Sequence, residues 1–176
     1  MRLFHDRNVL IAALRQRGVD YLMSDGPADG QVSDEELIAS LAAHEDARLR
    51  SALIALFLLQ PALAARVQPV LKELEPEAQA ELTARYMAAV YLQMFWRTRL
   101  AIYGLEAKPL PDLFSMQLGL PAPEEMYGKP GLHALAEWHQ RQRPVAYNRR
   151  VEYELVIEHL IASLKMRARP KEAVAA

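Results

Sequence analysis

Apolar residues recur along this chain at spacings of three and four, and nowhere in sustained alternation bounded by hairpin turns. That pattern predicts helices and no strands. A first short helix is expected from the capping residue Asp6 to Arg17, with Gly18 at its left-handed exit. Turn residues fill 24–30, SDGPADG. Ser33 with Glu36 three residues later forms a capping box ahead of Leu37, Ile38 and Leu41. Asp46 caps a segment, Ala47 to Leu59, that is apolar around most of its circumference, and a helix of that kind belongs at the centre of a fold. It stops at Gln60-Pro61. Pro61 and Pro69 then sit near the starts of short helices, where a missing N–H costs little.

Pro76 opens the longest segment, Glu77 to Tyr103, with an apolar stripe from Leu82 and Tyr86 through Phe95 and Leu100, closed by Gly104. Residues 108–130 contain five prolines, so an irregular stretch wrapping one face is expected, with one short helix from Asp112 to Leu118 ended by Gly119. Leu132 to Gln142 forms a further helix, and Asn148 caps the last, which runs to about Arg167. The expected fold is all-α: a compact bundle of about six to eight helices in one domain over residues 1–168, with a flexible tail at 169–176.

Within residues 36–74, Asp46, Leu49, Arg50 and Ala52, followed by a second helix, resemble a HEAT-type helical hairpin. Such hairpins stack into protein-binding solenoids. The resemblance covers roughly a fifth of the chain, and a solenoid needs about three or more units. No second copy occurs, so no functional residue is carried over from the family.

Composition narrows the function. The 176 residues suffice for one buried core. A formal net charge of −1 gives no global field for nucleic acid or membrane. Without cysteine there are no disulfides, thiol nucleophiles or thiolate zinc sites. The longest apolar run, Ala52 to Leu59, falls far short of the ~20 residues a membrane span needs. No signal-peptide pattern opens the chain, and a cytoplasmic location is expected.

Catalytic motifs are missing. The five histidines make no H-E-x-x-H, and none has a glutamate three residues before it. His133 and Glu137, four apart, are expected to form a surface pair rather than bind metal. No serine lies in a nucleophile elbow, and no glycine-rich phosphate loop is present. The acids at 34–36 and 124–125 sit at expected helix starts, where they suit the dipole. No cofactor and no metal are expected.

Charge is nevertheless polarised. Residues 24–46 carry seven acids and no Lys or Arg, whereas 129–171 carry nine Lys/Arg against four Glu. Arg141, Arg143, Arg149 and Arg150 flank Pro144, with Trp138 and Tyr147 beside them, as candidate contacts for a partner or for phosphate. Trp96, Arg97 and Arg99 form a second candidate surface, since aromatic and arginine residues compose interface hot spots. The outline helix–Gly119–helix in 110–128 does not read as a DNA-binding element. Its second half opens with Pro121 and Pro123, which offer no base-edge fork, and with Glu124 and Glu125, which repel phosphate.

The expected function is a non-catalytic interaction protein: an adaptor, regulatory partner or small subunit of a larger assembly, antitoxin-like neutralisers included. Its partner would be another protein or a second copy of itself. Two alternatives stand beside this reading. One is a nucleic-acid-associated subunit using the basic C-terminal third; the other is a helical enzyme or small-ligand binder without a coded motif.

Overall fold

The computed structural model describes residues 5–105 and 108–168. Nine α-helices and two 3-10 turns lie among the described residues, and no strand. They are α1 (Arg7–Gln16), α2 (Asp34–Ala43), α3 (Ala47–Leu59), α4 (Ala64–Leu71), α5 (Pro76–Phe95), α6 (Arg97–Ile102), α7 (Ser115–Leu118), α8 (Lys129–Gln142) and α9 (Arg149–Ala168). The 3-10 turns are Pro61–Leu63 and Glu125–Gly128. The fold is all-α, as the periodicity predicts. The expected tail at 169–176 lies outside the described residues.

Local signals set most boundaries. Asp6 accepts from the Asn8 N–H at 3.2 Å and Asp46 from the Arg48 N–H at 2.8 Å. Ser33 and Glu36 close both bonds of the capping box, at 3.2 and 3.1 Å. Asn148 accepts from the Arg150 N–H at 2.9 Å and starts α9. Each such cap is worth about 1 kcal/mol.

α3 and α5 form the centre. Every residue of α3 from Leu49 to Leu58 is buried, and so is every residue of α5 from Glu81 to Gln93. α3 packs mainly on α5, α9 and α2, while α8 packs on α5 and α9. The HEAT-type expectation is not realised. At Pro61 the chain bends by 110°, so α4 packs on α2 and α5 instead of folding back along α3.

The long helix expected from 77 to 103 is two helices. Trp96 leaves helical geometry at φ −102°, ψ 11°, and α6 sets off from it. No proline or glycine marks the break. The turn brings Leu100 into the core while Arg97, Thr98 and Arg99 stay exposed.

Residues 108–130 run along α5, which holds them by side-chain hydrogen bonds. Gln93 accepts from the Leu110 N–H at 2.7 Å and donates to the Lys108 carbonyl at 3.1 Å. The Tyr86 and Tyr91 hydroxyls donate to the Pro111 and Pro121 carbonyls at 2.6 and 2.7 Å. Gly128 (φ +80°) and Gly131 bring the start of α8 against Tyr91; a Cβ on Gly131 would stand 2.0 Å from the Tyr91 ring. The short helix of this segment begins at Ser115 with Phe114 at its N-cap position, and Asp112 just ahead of it accepts from the Phe114 and Ser115 N–H groups.

No single helix among the described residues is long and apolar enough to cross a membrane.

Candidate functional site

Four central helices bring ionisable side chains together where the sequence suggests only apolar packing. Glu81 and Arg85 come from α5, Arg50 and Ser51 from α3, His139 from α8, and Arg149, Glu152 and Tyr153 from α9. Glu81, Arg85, His139 and Tyr153 are wholly buried, and Arg50 and Arg149 nearly so.

Glu81 is the hub. One carboxylate oxygen, Oε1, lies 2.8 Å from His139 Nε2; the other, Oε2, accepts from Arg85 Nε at 3.1 Å and stands 3.4 Å from Arg50 Nε. Arg149 and Arg143 each approach Oε1 to 3.9 Å. A carboxylate can only accept, so His139 carries its proton on Nε2 and donates it to Glu81. Its Nδ1 then accepts the Tyr153 hydroxyl proton at 2.7 Å. Glu152 is the second anion. It takes Arg85 Nη2 at 2.8 Å, Arg149 Nη1 at 3.0 Å and the Ser51 hydroxyl at 3.0 Å.

The electrostatics follow from this packing. Burial opposes ionisation of Glu81, but the His139 hydrogen bond and the Arg85 and Arg50 charges outweigh it and hold its carboxyl far below the usual range. The same balance, with Arg85 and Arg149, keeps Glu152 ionised. Burial lowers the pKa of His139, and Arg85 adds to that, so the ring is neutral. Burial also raises Tyr153, which remains a phenol. The network resembles acid–base machinery in its residue types. However, Glu81, His139 and Tyr153 have no exposed surface, and catalysis needs a reacting atom within reach of them. The arrangement ties α3, α5, α8 and α9 into one unit.

The network reaches the surface at Glu152, Ser51 and Tyr147, which line a groove of about 650 Å³ between α3, α9 and the α1–α2 connection. Its other walls include Tyr21, Leu22, Val151, Leu155 and Val156, with Arg7 and Arg48 at the lining. Tyr21 packs against the His159 ring at 5.4 Å. Large apolar side chains stand exposed around it: Met23 at 78 %, Val151 at 50 %, Leu155 at 47 % and Tyr147 at 46 %.

The residues singled out from sequence are dispersed. Arg149 faces inward, in the network, its guanidinium 5.7 Å from the Tyr147 ring centre. Arg150 bonds Glu154 at 3.4 Å, and Arg143 leans toward Glu81. Arg141 is exposed. Trp138 lies in a separate depression with Phe114 and Leu118. At the far end of α5, Arg99 covers the Trp96 ring at 4.9 Å, and Arg97 lines a pocket of about 370 Å³ with Leu58, Met94 and Leu100. Trp96 lies 15 positions beyond Glu81, or ~22 Å at the helical rise, so the two candidate surfaces do not join. His133 and Glu137 pair at 3.5 Å on the surface. Among the described residues no group of three or more His, Asp or Glu converges to hold a metal.

Sequence reasoning missed Glu81, Arg85, Arg50, His139 and Glu152. One signal was present: Arg48 and Arg50, two apart, point to opposite sides of a helix otherwise apolar nearly all round, so one of them turns inward and requires a counter-charge.

No family model, no curated protein and no solved structure matches the chain.

Proposed function

We propose that this is a cytoplasmic, non-catalytic interaction protein that binds a partner on the outer face of α9 and the groove beside it. One observation carries the reading: α9 is apolar on two opposite faces, and the described residues of the bundle cover only one. Tyr153, Val156, Ile157, Leu160, Ile161 and Leu164 face the core. Val151, Leu155, Ala162 and Met166 face outward, and Met166 is 74 % exposed. An exposed apolar stripe continuous with an apolar groove marks an interaction surface. Of the four arginines that would serve nucleic-acid binding, Arg149 is buried, Arg143 leans toward Glu81 and Arg150 pairs with Glu154, while Arg141 is exposed. Carboxylates engage three of the four, which favours a protein partner over phosphate.

The test is a stoichiometric complex. Leu155→Asp places a charge on the exposed stripe without touching the core. It should abolish co-purification at fixed stoichiometry while the melting temperature stays within a few degrees of wild type. Retention of the complex by this variant refutes the reading.

A further inference from the structure

We infer that the outer face of α9 pairs with the same face of a second copy of this chain, antiparallel, about a two-fold axis passing between Glu158 and His159. The inference rests on the interaction reading above and names its partner. Successive residues of a helix turn by 100°, so Val151, Ala162, Leu155 and Met166 fall within an arc of about 60°. Along the chain their spacings are four, seven and four. That pattern is symmetric about the midpoint of 158 and 159. An antiparallel copy therefore sets Val151 against Met166 and Leu155 against Ala162, at both ends alike. The larger leucine meets the smallest residue of the stripe, which is how facing layers interdigitate. A parallel copy would set Leu155 on Leu155 and Ala162 on Ala162, crowding one level and leaving a void at the next. A closed two-fold contact of this type needs one self-complementary patch, and this stripe is one.

Charge gives the arrangement a signature. Glu154, Glu158 and Lys165 lie along one flank of the stripe and His159 along the other, beside the groove. A two-fold axis perpendicular to both helices brings like flanks together. Glu154 of one copy then lies near Lys165 of the other. Each keeps its present neighbour, Arg150 at 3.4 Å and the Tyr103 ring at 5.8 Å. The two Glu158 side chains pass each other at the axis, and that contact is repulsive. Exposed Met23 and Tyr147 extend the covered area past the groove. A single helix pair with these additions is at the small end of specific interfaces, so dissociation in the micromolar range is expected.

Sedimentation velocity over a concentration series tests the pairing. The wild-type mass should rise from 19.9 kDa toward twice that value. Leu155→Asp should stay at one chain throughout, with an unchanged circular-dichroism melt. Glu158→Gln should tighten the pair by roughly two- to five-fold, because it removes a like-charge contact. The chain contains no cysteine, so introduced thiols report the register. Leu155→Cys mixed with Ala162→Cys should cross-link one variant to the other, and neither should cross-link to itself. Self-linking by Leu155→Cys alone, or weaker pairing in Glu158→Gln, overturns the antiparallel arrangement. A wild-type chain that remains monomeric at all concentrations overturns self-pairing. In that event a stoichiometric complex with a different protein, lost in Leu155→Asp, leaves the interaction reading standing, and failure of both removes it.

Discussion

Glu81 is where the largest single-residue effect is expected. Its carboxylate faces four guanidiniums, those of Arg50, Arg85, Arg143 and Arg149, with Glu152 the one other anion bonded into the cluster among the described residues. Removing one partner of a buried ion pair leaves the other uncompensated, at a cost of about 3–5 kcal/mol. Glu81→Leu should therefore lose a substantial share of the about 5–15 kcal/mol that stabilises a typical domain, read as a fall in the urea midpoint. An equal midpoint would mean that the arginines can reach water on their own. Tyr153 completes the cluster: its hydroxyl saturates His139 Nδ1, so the imidazole makes both of its hydrogen bonds without leaving the core.

α5 organises its neighbours at the scale of the element. One of its ends carries the ionic hub; further along, Tyr86, Tyr91 and Gln93 hold the proline-rich segment by its backbone. Tyr91 bonds Pro121 and leaves no room at Gly131, so that segment and α8 share one support. Gly131→Ala should cost about 1–3 kcal/mol, because the Tyr91 ring it would strike is fully buried and cannot swing out. Thermal unfolding with and without the substitution checks this, and an unchanged midpoint would show the ring free to move. Periodicity and caps made most elements legible, since these act within one or two turns. They did not reveal the break at Trp96, which carries no breaker residue and serves the seating of Leu100. Nor did they reveal that α9 has two apolar faces, because a helix's outer side is defined only by what packs on the inner one.

At the scale of the whole molecule, acid should weaken the fold in two stages. The pKa of His139 is lowered on folding, so its contribution is complete above the unfolded value of 6.5 and declines as pH falls below it. The carboxyls of Glu81 and Glu152 are also lowered, so their contribution is complete above the unfolded value of 4.5 and is lost as pH drops further. The melting temperature should decline from about pH 6.5 downward and more steeply below about 4.5. His139→Gln should flatten the upper part of that curve, and a slope unchanged by the substitution would remove His139 as its source. What the sequence determined by itself was the helical class, the caps, the central place of α3 and the path of the proline-rich segment as irregular backbone. All of these follow from residues close together in the chain. Tertiary structure alone decided that Glu81 meets His139 across 58 positions, that Arg149 turns inward, and that the described residues leave the apolar stripe of α9 exposed. Those outcomes depend on which faces meet, and a charge in a one-dimensional pattern has the same appearance whether water or another buried charge will neutralise it.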